Sequence, residues 1–150
     1  MTKTKVFLAP VPACILESAQ RVPDLAKLVA FGSNKPGLES FPIGLDVYIY
    51  ASQPPHRLCR PGYVTWGGKK LSAIVPAVEK GRRSGKHPNP AVRPPYAESD
   101  DTPSTLFWEV AGLHLLDKPI PFSRFENEND GKPFGGGAPE WPTLAVLKTQ

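Results

Sequence analysis

Two side chains of opposite charge, Lys35 and Glu39, stand four residues apart in a segment rich in glycine, serine and proline. A lysine can stabilise negative charge on a phosphate or carbonyl oxygen, and a carboxylate can move protons. Tyr50, in the apolar run that follows, is a possible auxiliary hydroxyl. We take Lys35, Glu39 and Tyr50 as the candidate catalytic residues. The alternative for the charged pair is an ordinary exposed ion pair on a loop, which contributes little to the stability of the fold.

Positive charge is concentrated in the middle of the chain. Residues 57–93 hold nine lysines and arginines against one acidic residue, whereas residues 94–150 hold four against nine. A segment this basic attracts polyanions such as nucleic acid, because each cation can contact a phosphate. The alternative is a solvated surface that the acidic third of the chain balances. The residues that we predict to contact nucleic acid are Lys69, Lys70, Arg82, Arg83, Lys86 and Arg93.

Aromatic residues are interleaved with this charge. Trp66 and Tyr96 are the rings that we predict to stack on an unpaired base, because every base offers a π face to such a ring. Core packing is the alternative interpretation for Trp66, and it is the favoured one for Trp108, which lies in an apolar strand pattern.

Composition limits the other classes of function. The 150 residues, 40% of them hydrophobic, fit a single domain over 1–150 that needs no metal or disulfide for stability. The 19 prolines argue against a helical bundle, since proline breaks helix interiors. Two isolated cysteines and three dispersed histidines predict neither a metal site nor a cofactor. No apolar run reaches about 18 residues, so we predict no membrane span and a cytoplasmic location.

The elements that must position these residues have the patterns of short strands. A helix is predicted from Ala13 to Arg21, residues 28–31 fit either a helix or a strand, and Gly67–Gly68 predicts a hairpin turn. We expect Pro10 and Pro12 to end the first strand. The predicted fold is therefore mainly β with short helices (α+β), as a small barrel or sandwich. The predicted strands are Val6–Leu8, Leu45–Tyr50, Tyr63–Trp66, Leu71–Val78, Leu106–Val110 (continuing past Gly112 to Leu116) and Leu144–Leu147.

One pattern in the sequence resembles the ASCH family of the PUA-like superfamily. Its residues are Gly32, Lys35, Glu39 and the run Tyr50–Ser52, which match that family in order and approximate spacing. The segment that starts with Phe107–Val110 resembles a late strand of such proteins, so the resemblance covers about residues 28–122. It implies a small PUA-like β-barrel whose cleft recognises RNA or a modified base.

The sequence differs from the amidohydrolase branch of that family, in which a Lys-Thr-Glu set is thought to hydrolyse an acyl group from modified cytidine. Pro36 follows Lys35, and Ser40 follows Glu39 where the family has arginine. The resemblance therefore implies an RNA- or modified-nucleotide-binding module with a basic cleft. The alternative is a metal-independent hydrolase, a ribonuclease or nucleoside amidohydrolase, that uses Lys35 and Glu39. A protein partner bound through the proline-rich loops is a third hypothesis.

Overall fold

The computed structural model describes residues 2–20, 28–52, 57–78, 87–94, 104–128, 131–132, 134 and 141–149. Within these residues the chain forms mostly strands, so the predicted mainly β class is confirmed. The strands are β1 (Thr2–Pro12), β2 (Val29–Ser33), β3 (Val47–Ser52), β4 (Tyr63–Gly68), β5 (Lys70–Pro76), β6 (Leu106–Ala111), β7 (His114–Pro121), β8 (Phe125–Asn127) and β9 (Thr143–Thr149). The helix α1 spans Ala13–Ala19, and short 3-10 turns cover Leu38–Ser40, Pro90–Val92 and Phe122–Arg124.

These strands form two sheets. The larger sheet has the order β7-β4-β3-β1-β9-β8, and the smaller one has the order β2-β6-β5. Strands β1 and β3 are parallel, and every other pair is antiparallel. The pairings among the described residues do not close either sheet into a ring, so the PUA-like barrel stays a prediction.

Strand β1 continues through Pro10 and Pro12, and the prediction that these prolines end it was wrong. The Phe7 amide donates to the Asp46 carbonyl, on the β3 side. Alternate residues of a strand direct their backbone groups to opposite sides, so Pro10 and Pro12 face the β9 side. Pairing with β9 ends at Leu8. Among the described residues, no strand pairs with β1 on that side at Pro10 and Pro12, so the absence of their amide protons breaks no hydrogen bond of the sheet, as expected for proline in a strand.

Gly67 and Gly68 are the last residues of β4, and they do not form the predicted hairpin turn, because β4 and β5 do not pair with each other. Strand β4 pairs with β3 and β7 in the larger sheet, and β5 pairs with β6 in the smaller one. The β4–β5 and β6–β7 segments thus form one antiparallel ribbon that crosses from sheet to sheet. It bends at Lys69 and at Gly112, whose φ of 70° favours glycine. The prediction that a strand continues beyond Gly112 is confirmed, because β7 begins at His114.

The main core lies between the two sheets. The indole of Trp108 packs at 5.1 Å from the Phe7 ring and at 4.7 Å from the Phe31 ring, measured between centroids. Helix α1 adds Leu16 to this core, with no exposed surface. A second cluster covers the opposite face of the larger sheet; its buried members are Val6, Leu8, Val64, Phe125, Ala145 and Leu147. Each fully buried large side chain stabilises the fold by roughly 1.5–3 kcal/mol.

Candidate functional site

A cavity of about 300 Å³ opens beside the ends of β1 and β2. Ligand sites for small molecules measure roughly 300–1,000 Å³, so this cavity suits a small ligand. It is lined by Pro10, Val11, Pro12, Ile15, Phe31, Gly32, Ser33, Asn34, Arg93, Ser104, Trp108, Trp141 and Pro142.

Aromatic rings form much of the apolar part of the cavity. Phe31 and Trp108 contribute from β2 and β6, and both are almost fully buried because they also belong to the core. Trp141, which precedes β9, is 45% exposed. Its ring is therefore the one that a ligand can cover. Trp141 is not among the residues predicted from the sequence, where its signal is a lone tryptophan between glycine- and proline-rich residues.

Hydrogen bonds hold the polar part of the cavity in place. The Thr105 amide, before β6, donates to Asn34 Oδ1 at 2.8 Å, and the Lys35 amide donates to Ser33 Oγ, at the end of β2, at 3.1 Å. Gly32 allows this close approach, since a Cβ there would lie 2.3 Å from Ser104 Oγ. Hydroxyl and amide groups thus stand in fixed positions on one side of the cavity.

Arg93, one of the residues predicted to contact nucleic acid, lies in the cavity wall. Its Nη1 donates to the Ala30 carbonyl at 2.7 Å, and its Cζ lies 4.8 Å from the centroid of the Phe107 ring. These contacts fix the guanidinium against the outer face of the smaller sheet. A guanidinium held in this way is suited to a phosphate or carboxylate, because its planar donors match both oxyanions.

The other described basic candidates lie elsewhere. Lys69 and Lys70 are exposed at the bend of the ribbon. Lys70 pairs with Ala111 at one end of β6, whereas the cavity lies near the other end, where Leu106 pairs with Ser33. The structure therefore does not bring Lys69 and Lys70 together with Arg93. Arg82, Arg83, Lys86 and Tyr96 lie outside the described residues.

Trp66 fills the core instead of a binding surface. Its side chain is 1% exposed, and it belongs to the cluster between the sheets. A ring buried this deeply has no free face for a base.

The three candidate catalytic residues are not gathered around the cavity. Lys35 lies next to its rim, with Nζ 5.6 Å from the centroid of the Phe41 ring, and Glu39 is exposed in a 3-10 turn that Leu38 anchors in the core. Tyr50 packs against Phe122, with 4.8 Å between ring centroids. The alternation along β3 turns Tyr50 away from the main core. Catalysis by Lys35 and Glu39 stays a prediction.

Burial weakens the reactivity of the Tyr50 hydroxyl and of the neighbouring Cys59 thiol. It raises the pKa of the Tyr50 hydroxyl, and the neighbouring Cys59 raises it further. Burial also raises the pKa of the Cys59 thiol, whose Sγ donates to the Ala51 carbonyl at 3.0 Å. Both groups hold their protons at neutral pH. Cys59 is thus a poor nucleophile, since the thiolate is the reactive form.

Across the described ranges, no group of three or more His, Cys, Asp or Glu residues could hold a metal ion. No helix in the same ranges has the length and apolarity to cross a membrane. The sequence matches no protein-family model and no curated protein.

Proposed function

We propose that the cavity binds one nucleotide unit, either as a base in single-stranded RNA or as a free modified nucleotide, on a PUA-like domain. The single observation that carries this proposal is that the accessible Trp141 and Arg93, whose guanidinium is held by its contacts with Ala30 and Phe107, line the same small cavity. A nucleotide is a flat π system joined to an anion, and these two side chains offer complementary surfaces for both parts.

The roles of the cavity residues follow from their chemistry. The base stacks on Trp141, and its edge meets the polar side formed by Ser33 and Asn34. Arg93 contacts the phosphate. Lys69 and Lys70 lie beside the end of β6 that is far from the cavity, so they cannot contact the same nucleotide. On an RNA strand they would contact phosphates further along the backbone.

Equilibrium binding measured by tryptophan fluorescence tests the proposal. The probes are uridine and cytidine monophosphates, acyl-modified cytidine and a single-stranded RNA oligonucleotide, each at low and moderate salt. We expect Trp141→Ala to weaken binding by roughly 5- to 150-fold, since base stacking contributes about 1–3 kcal/mol, and Trp141→Phe to retain most of the affinity. Variant affinities are measured by calorimetry, because Trp141→Ala removes the tryptophan on which the base is proposed to stack.

The matched control is Leu115→Ala, which truncates another exposed hydrophobic residue, 51% exposed, on β7 outside the cavity. It should bind as the native chain does. Salt dependence separates the two forms of ligand, because an RNA oligonucleotide releases several counterions and a mononucleotide few. Absence of binding to every probe at low salt, or equal loss in both alanine variants, would contradict the proposal.

A further inference from the structure

A buried pair of titratable side chains, His87 and Glu109, lies on the outer face of the smaller sheet. His87 Nε2 stands 2.6 Å from Glu109 Oε2, and the two side chains are 3% and 11% exposed. The Asn89 amide donates to His87 Nδ1 at 2.8 Å. Because Nδ1 accepts a hydrogen bond, the ring proton resides on Nε2, which donates it to the Glu109 carboxylate.

This geometry excludes acid–base catalysis by His87 in the described conformation. Both ring nitrogens are engaged, one by a backbone amide and the other by a carboxylate. Neither His87 nor Glu109 lines the cavity. A histidine with both nitrogens occupied within the protein holds structure in place.

What the pair holds is the segment 87–94, which ends in the cavity wall. The Asn89 side chain accepts the Ala91 amide, and the Asn89 carbonyl accepts the Val92 amide, so the segment is a compact turn. His87 begins this turn, and Arg93 stands near its end.

Both of these residues rest on the same aromatic ring. The His87 ring meets Phe107 edge to face with centroids 5.2 Å apart, and Arg93 Cζ lies 4.8 Å from the Phe107 centroid. Phe107 and Glu109 project from the same face of β6, two residues apart. The contacts of His87 with β6 therefore determine where Arg93 lies at the other end of the turn.

Burial of the Glu109 carboxylate costs free energy, and packing alone does not explain why a carboxylate stands at this position. An ionised group removed from water needs partners, whereas an apolar residue at position 109 would cover Ala30 and Ala73 without that cost. The directional bond from His87 is what the carboxylate adds. This bond fixes segment 87–94 in one position on the sheet among those that apolar contacts alone would allow.

We propose that His87 and Glu109 are positioning residues that hold the Arg93 guanidinium in the cavity wall and so determine affinity for the phosphate of the bound ligand. This inference rests on the proposed function. Its signature is selective: loss of the pair should weaken binding of a nucleoside monophosphate and leave the matching nucleoside almost unaffected.

The experiment compares the affinities for cytidine monophosphate and cytidine in a set of variants. In the native chain the phosphate should improve affinity by about tenfold or more, as expected for a charge-assisted contact with arginine. Arg93→Met should bring the ratio of the two affinities close to one, and Glu109→Leu, which has no acceptor for His87 Nε2, should reduce the ratio by most of its value. In the double variant Arg93→Met, Glu109→Leu, the second substitution should have no further effect, because Glu109 acts through Arg93.

The matched control is Glu126→Leu. Glu126 is also a largely buried carboxylate, 12% exposed, but it pairs with Lys3 and Lys148 on the larger sheet. Its substitution should leave the ratio unchanged. His87→Gln, which removes the acceptor of the Asn89 amide, keeps the experiment decisive where Glu109→Leu does not fold. An unchanged ratio in the folded variant, or equal weakening of nucleoside and nucleotide, would overturn the inference.

A ligand-free measurement separates this inference from the proposed function. In nitrogen-15 NMR spectra, His87 should show the Nε2-protonated tautomer, and the Arg93 side-chain Nε–H signal should shift or broaden in Glu109→Leu. If the native chain binds no nucleotide but these signals behave as expected, the proposed function fails and the positioning relationship stands. An unaltered Arg93 signal in Glu109→Leu would refute the positioning relationship whatever the ligand.

Discussion

The Lys69 amide donates a hydrogen bond to the Ala111 carbonyl across 2.9 Å, where the β4–β5 and β6–β7 ribbon passes from one sheet to the other. Backbones approach closely at this point. A Cβ built on Gly68 would lie 2.2 Å from Val110 Cγ2 and 3.4 Å from the Ala111 carbonyl oxygen. The bend therefore depends on the absence of a side chain at position 68.

We expect Gly68→Ala to destabilise the fold by about 1–3 kcal/mol, the usual cost of overpacking a dense core. Gly67→Ala should cost less, because its nearest neighbour is the Leu116 Cδ2 methyl at 3.0 Å, the flexible end of a side chain. Urea denaturation followed by circular dichroism measures both. In a Val110→Ala background the penalty of Gly68→Ala should shrink, since the clashing methyl is gone. Equal costs in the two backgrounds would disprove the steric explanation.

Thr65→Val should stabilise the protein or leave its stability unchanged. The Thr65 hydroxyl is buried and has no hydrogen-bond partner within the described part of the chain. Replacing such a group by a methyl of similar shape removes a desolvation cost of roughly 1–3 kcal/mol. Thr65→Ser, which keeps the hydroxyl and loses the methyl, is the control and should be destabilising. A lower urea midpoint for Thr65→Val than for the native chain would show that the hydroxyl is bonded in solution.

Stability should fall as the pH rises above about 9. Burial raises the pKa of Tyr48, with a further increase from Asp46, and burial also raises the pKa of Tyr50 and Cys59 from their ordinary values of 10.0 and 9.0. The unfolded chain then releases these protons at lower pH than the folded one, so the folded state loses stability as pH increases. The stabilisation is fully present below pH 9.

Urea midpoints between pH 8 and pH 11 measure this effect. The double variant Tyr48→Phe, Tyr50→Phe should lose less stability over that range than the native chain, because two of the three groups no longer titrate. A slope that is the same in both proteins would assign the alkaline loss to other groups.

Lys35→Met and Glu39→Gln should leave nucleotide affinity within about twofold, since neither side chain lines the cavity and surface substitutions usually change free energies by less than 0.5 kcal/mol. The same variants test the hydrolase alternative. If the chain hydrolyses acyl-modified cytidine through these residues, both variants lose turnover while remaining folded. Native rates in both, or no turnover in the native chain, would reject that alternative.

The sequence was sufficient to predict the strands that carry β-branched and aromatic residues. Val47 and Ile49, which share one face, predict β3, and the aromatic and β-branched residues Phe107, Trp108 and Val110 predict β6. The sequence pattern of residues 28–31 fits both a helix and a strand. The pairing of Phe31 with Trp108 makes residues 29–31 part of β2, and such a contact between distant segments has no local signal.

The positions of the site residues have no local signal either. The charge of Arg93 predicts a phosphate contact, whereas its position in the cavity wall depends on the His87–Glu109 pair, which spans 22 positions of the sequence. The ring of Trp66 predicts base stacking, whereas pairing with Ile49 in the larger sheet places that ring in the core. Charge and residue type predict what a side chain can bind. Only the sheet register decides whether it faces a ligand.

The larger sheet ends on one side at β7, which has no further strand beside it within the described residues. An unpaired edge is a template on which another copy of the chain could add a strand and begin to aggregate. Pro119 and Pro121 cannot donate hydrogen bonds to an incoming strand, and the irregular register against β4 distorts the edge. Asp117 and Lys118 are exposed beside them. We therefore expect replacement of these prolines by valine to lower solubility at high concentration before it affects binding.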